Sequence, residues 1–334
     1  MTTQHQKPRR TARLVIGGGL LAAFLAFGST AQASITFQFD YGADTGTGFW
    51  DPVSGADRKA AVSTAASSFS SMFGSYFSNS GTILLSASAS DDAASNTLAS
   101  AGSRMLVTST PGFNDKQIVM TKLQTGVDLN GAGADGTVDV NFGQSWQLNK
   151  NASVSGTQYD FYGVMYHEFT HALGFASNIA QDGSPFGGTK GAGVWSPFDK
   201  YLVAGNGSRV VSANFSLNQP VWDAASQGGS SMFFDGAFAK AANGGAAVGL
   251  YSPRVWEEGS SISHLDTDNP ALAGMMMLHA VSTGAAARNY GAIEVGIMRD
   301  LGYTVVAVPE PESYAMLLAG LAVIAPIARR RRKV

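Results

Sequence analysis

Apolar residues recur at helical spacing between Asp57 and Phe77, at Ala60, Val62, Ala65, Phe69, Met72, Phe73 and Phe77. That pattern predicts an amphipathic helix with Asp57 as its cap. Thr82 to Ser86 reads as a strand and Ile118 to Leu123 as a second short one. Gly136 to Phe142 places Val138, Val140 and Phe142 on one face, the alternation of a half-buried strand. A longer helix is predicted from about Gln158 or Asp160, with Phe161, Val164, Met165, Phe169, Ala172 and Leu173 along its buried side. Gly174 ends it, since glycine takes the left-handed position after a helix without steric cost. Gly and Pro throughout residues 181–253 read as a loop-rich region, and Ser/Ala/Gly-rich patches occur at 86–103 and 224–248. A last helix runs from about Ala292 to Leu301 and stops at Gly302. Strands that precede helices without βαβ alternation argue an α+β unit spanning 34–307.

The chain has 334 residues, 45% of them hydrophobic and 14% charged, which is enough apolar surface for a sizeable core. It contains no cysteine, so disulfides, a thiolate nucleophile and Cys-ligated metals are excluded and any metal must sit on His, Asp, Glu or backbone oxygen. The formal charge of −2 hides an uneven distribution, because residues 34–307 carry 13 Lys and Arg against 22 Asp and Glu. Such an acidic centre offers no field for nucleic acid.

The cations lie at the ends. Lys7, Arg9, Arg10 and Arg13 precede an apolar run from Leu14 to Phe27 and the small residues Ala31-Gln32-Ala33, the layout of a secretory signal peptide over 1–33 with cleavage expected after Ala33. Arg9-Arg10 is a weak hint of twin-arginine export. At the other end Val308-Pro309-Glu310-Pro311 leads into the apolar segment Ser313 to Ala328, too short for an ordinary span, and then Arg329 to Lys333. Residues 308–334 resemble the PEP-CTERM sorting signal of Gram-negative bacteria. The resemblance implies transient membrane anchoring by the short helix, recognition by an exosortase, removal of the tail and delivery to the cell surface or extracellular matrix.

The chemistry concentrates on the longer helix, in His167-Glu168-Phe169-Thr170-His171. Residues four apart share a helix face, so both imidazoles can reach one ion while Glu168 projects beside them. Only four His lie outside the leader, the other two being His264 and His279. A catalytic zinc takes three protein ligands and keeps a position for water. The compact metzincin spacing would put a third His at position 177, which is Ser177. His264 stands in a polar loop, Ser263-His264-Leu265-Asp266, ahead of Met275-Met276-Met277, whereas His279 sits in an apolar run and reads as a packed residue. Glu257, Glu258 and Glu294 compete as a carboxylate third ligand.

Three blocks, His167 to Phe175, Ser263 to Asp266 with the Met cluster, and Arg299-Asp300-Leu301-Gly302-Tyr303, resemble the leishmanolysin-like metzincins and their bacterial PEP-CTERM-tagged relatives. The resemblance implies a zincin-like domain of mixed sheet, active-site helix and loop-rich C-terminal lobe. It also implies His264 as third zinc ligand and Met277, or else Met276, as the apolar floor of the metal. The chain departs from that family in lacking every cysteine. The expected function is an exported zinc endopeptidase acting on protein or peptide substrates, with one Zn²⁺ and Glu168 as general base. The alternatives are a surface or matrix protein whose zinc site is structural or silent, and a zinc hydrolase acting on other bonds. Gly136 to Gly143 is similar to an aspzincin motif, and is expected instead to be the edge strand that receives an extended substrate. Asp128-Leu129-Asn130-Gly131 and Asp266, Asp268, Asn269 are candidate calcium ligands, with turns the favoured reading.

Overall fold

The computed structural model describes residues 34–106, 109–113, 116–185, 191 and 193–306; the leader at 1–33 and the tail at 308–334 lie outside the described residues. Strand β1 (Ile35–Asp40) turns Ile35, Phe37 and Phe39 inward. Helix α1 (Gly55–Tyr76) follows, with Val62, Ala65, Phe69 and Phe73 fully buried. Its start is fixed by Asp51, which accepts from the main chain of Val53 and from both the N–H and hydroxyl of Ser54. Asp57, expected as the cap, lies inside the first turn.

Strands β2 (Gly81–Ser90), β3 (Ala99–Ser103), β4 (Met105–Leu106) and β5 (Lys116–Gln117) come next, then α2 (Ile118–Thr125), β6 (Gly136–Asn141), β7 (Trp146–Gln147), β8 (Tyr159–Asp160) and α3 (Phe161–Ala172). The main sheet has the order β1-β2-β6-β3, with β3 alone antiparallel. Two expectations are corrected here. The segment from Ile118 is a helix rather than a strand: Ile118, Val119, Met120 and Leu123 bury one helical face, and Gly126 closes it in the left-handed conformation at φ 73°. The strand Gly136–Asn141 is internal rather than an edge, because β3 pairs with its outer side from Ala99↔Val140 to Ser103↔Gly136. The contact is close at Gly136, where a Cβ would lie 2.3 Å from the Gly102 carbonyl oxygen.

Helices α1 and α3 cover one face of this sheet. Phe37 stacks on Phe169 with centroids 4.6 Å apart, and Phe69 meets Phe169 edge-on at 5.5 Å. Burying each such ring contributes roughly 1.5–3 kcal/mol. Beyond α3 the expected loop region contains β9 (Leu202–Ala204), α4 (Gln219–Ser226), β10 (Met232–Phe234), α5 (Ala237–Ala242) and β11 (Val248–Leu250), before α6 (Ala292–Asp300) closes the chain. The last three strands form one antiparallel sheet in the order β11-β10-β9. The fold is α+β. Among the described residues no helix is long and apolar enough to cross a membrane.

Candidate metal centre

Helix α3 is anchored at both ends. Asp160 caps its start, accepting from the N–H groups of Tyr162 and Gly163 while its carboxylate pairs with Arg288 at 2.6 Å. Gly163 permits this approach, since a Cβ there would come within 2.8 Å of Asp160 Oδ2. At the far end Gly174 takes φ 100° and donates to the carbonyl of His171, reversing the chain. That reversal brings the Phe175 carbonyl back over the helix, where it accepts from His171 Nδ1 at 2.7 Å.

His264 arrives from a loop tied to the end of β11: Tyr251 donates to the His264 carbonyl and Ile262 to the Tyr251 carbonyl. Ile262 is fully buried and sits at φ 68°, a conformation that a β-branched residue adopts only under strain of order 1–3 kcal/mol. The tight turn lets His264 Nδ1 donate to the Ser260 carbonyl at 2.8 Å.

The three rings then meet. The Nε2 atoms of His167, His171 and His264 are 2.9, 3.0 and 3.0 Å apart. His167 Nδ1 donates to the Met276 carbonyl at 2.8 Å, so each ring has a carbonyl on its Nδ1. A carbonyl only accepts, so each Nδ1 carries the proton and each Nε2 presents a lone pair. Three lone pairs facing one another repel unless a cation lies among them. A proton is a poor candidate: burial lowers His167 to about 4, His171 to about 3 and His264 well below the ordinary value. A divalent ion fits, because nitrogens ~2.0–2.1 Å from a tetrahedral Zn²⁺ lie ~3.3 Å from one another. Among the described residues this is the one group of three or more His or acidic side chains able to share an ion. His167 and His171 remain partly exposed, which leaves the site a solvent side.

Glu168 is buried beside His167 on α3. Burial pushes it up to about 8, an effect that the nearby main-chain N–H of Ala101 opposes. Met276 and Met277 are both buried, and it is the main-chain carbonyl of Met276 that engages His167. His279 stays outside the cluster, stacked on Tyr251 at 3.6 Å and bonded through Nδ1 to the Thr267 hydroxyl. The rival carboxylates are committed elsewhere: Glu257 accepts from the Tyr251 hydroxyl, Glu258 from Trp256, and Glu294 from backbone N–H groups. At the first calcium candidate the Lys122 ammonium occupies the acidic loop, 2.9 Å from Asp128 and 3.0 Å from Asp135. At the second, Asp266 accepts from Ser230 and Asp268, and Asn269 caps a short turn. The groups that sequence reasoning missed are main-chain ones, the carbonyls of Phe175, Ser260 and Met276. Any residue type supplies these, so no side-chain signal marks them.

The C-terminal segment matches the PEP-CTERM protein-sorting motif over residues 307–333. No curated protein and no solved structure matches the chain. The motif marks the protein as exported, recognised by an exosortase at its C-terminus and sorted to the cell surface in a Gram-negative bacterium.

Proposed function

We propose that residues 34–307 form a zincin-like, zinc-dependent endopeptidase acting on proteins or peptides at the cell surface. The observation that carries this reading is the convergence of three Nε2 lone pairs, each ring held in the Nδ1–H tautomer by a carbonyl. His167, His171 and His264 would hold a Zn²⁺ there, and such an ion would supply Lewis-acid polarisation of a carbonyl and a water of lowered pKa. Glu168, adjacent to His167 on α3, takes a proton from the attacking water. As the C–N bond breaks, it returns that proton to the leaving amine nitrogen.

Substrate binding is assigned to β3, the free edge of the main sheet. The bonds from Asn141 N–H to Leu98 and from Arg104 N–H to Asp135 show that even-numbered residues face β6. Ala99, Ala101 and Ser103 therefore turn main-chain groups outward. An extended peptide pairing with the outward main-chain groups of Ala99 and Ala101 would add a strand to this edge.

The test compares cleavage of an unstructured protein by the zinc-loaded protein and by Glu168→Ala at matched zinc content. Loss of a proton-transfer group is expected to slow cleavage ~10²–10⁴-fold. Equal rates would remove the mechanism. No cleavage by either would favour a surface or matrix protein with a silent site.

A further inference from the structure

Glu294 lies in the first turn of α6, fully buried. Among the described residues no Lys or Arg forms an ion pair with it. A buried carboxylate is costly unless hydrogen bonds replace its water. Here they come from two places. Oε2 accepts from the Gly291 N–H at 2.6 Å, closing the helix's own cap. Oε1 accepts from the Met277 N–H at 2.7 Å. Capping α6 needs only the first of these.

The second bond reaches the metal centre through one peptide group. The N–H that Glu294 accepts belongs to the same peptide plane as the Met276 carbonyl, which accepts from His167 Nδ1 at 2.8 Å. The next carbonyl, that of Met277, accepts from the N–H of Leu265, the neighbour of His264. The Met276–Met277 turn is thus fixed on one side by Glu294, and on the other it orients one candidate ligand ring and the loop bearing another.

We infer that Glu294 is a positioning residue of the metal centre, a buried carboxylate that acts on His167 through the Met276–Met277 peptide. An anion on the N–H polarises that peptide and makes its carbonyl a stronger acceptor. The carbonyl in turn draws on the Nδ1–H of His167 and raises the basicity of Nε2. The inference rests on the reading of the three imidazoles as a metal site, and is independent of whether the protein cleaves peptides.

The experiment measures the zinc dissociation constant by chelator competition, and the visible spectrum of the Co²⁺-substituted protein, for wild type, Glu294→Gln and Asp300→Asn. The Gln side chain keeps the shape and removes the charge. Asp300, on the same helix, accepts from Phe238 and Ala239 and faces α5, so its variant controls for general loosening of α6. Glu294→Gln is expected to weaken zinc ~10–100-fold and to shift the Co²⁺ bands. Asp300→Asn is expected to change neither. Glu294→Asp, which retains the charge but withdraws it by one methylene, is also expected to weaken zinc, and serves where the Gln protein fails to fold. Wild-type affinity in the Glu294 variants, or an equal loss in Asp300→Asn, overturns the inference. Wild-type protein that binds no zinc overturns the metal site and this inference with it.

Discussion

Each ligand imidazole owes its donor nitrogen to a carbonyl on the opposite side of its ring, and the three carbonyls come from residues as unlike as Phe175, Ser260 and Met276. Removing one ring should therefore release the ion, whereas removing a nearby ring outside the set should not. His264→Ala is expected to abolish stoichiometric zinc binding, measured by metal analysis after gel filtration, and His279→Ala to retain it. At this scale the sequence was legible where side chains carry the signal. His167 and His171 announce themselves by their spacing of four; the scarcity of histidine narrows the third to His264 or His279, and only the resemblance to the leishmanolysin-like metzincins points to His264. The main-chain acceptors, and the turn at Ile262 that aims His264, follow from tertiary packing and leave no trace in residue type.

Among the elements, the end of α3 couples helix geometry to ligand geometry most tightly. Gly174→Ala puts a Cβ on a residue at φ 100°, where an L side chain strains the backbone, while the nearest atom, Met120 Cε at 2.2 Å, is a side-chain end that can shift. A cost of ~1–3 kcal/mol in unfolding free energy is expected by chemical denaturation. Weaker zinc binding should accompany it, because the Phe175 carbonyl moves away from His171. Phe169→Ala, on the buried side of the same helix, should cost about 3–5 kcal/mol by the same measurement, as the ring packs on Phe37, Phe39 and Phe69. Helices α1, α3 and α6 could be read from sequence because their apolar residues repeat over several turns. The segment from Ile118 misled because a short β-branched and apolar run fits either period. Strand β3 was hidden for the opposite reason: Ala-Ser-Ala-Gly-Ser has no hydrophobic alternation, and its place as the sheet edge is set by pairing with β6.

For the molecule as a whole, the proposed centre would couple metal, pH and stability. In the metal-free protein the depressed histidines favour the folded state only while neutral. Stability of the apoprotein should hold above the ordinary imidazole range near 6.5. It should fall as pH drops toward 4, since the unfolded chain takes up protons more readily there. Bound zinc opposes the same protons, and at a free concentration ~100-fold above its dissociation constant it adds ~2.7 kcal/mol. A chelator is accordingly expected to lower the thermal midpoint by several degrees at neutral pH, and to have a smaller effect below pH 5, where the metal is already displaced. The sorting motif places the protein at the cell surface, where the cysteine-free chain has no disulfide to supply that stability. The most direct measurement is X-ray absorption spectroscopy of the zinc-loaded protein. Three imidazole nitrogens at ~2.0–2.1 Å with an oxygen completing the shell are expected. A shell with fewer than three imidazoles, or one unchanged in His264→Ala, would contradict the assignment of His167, His171 and His264 as the ligand set.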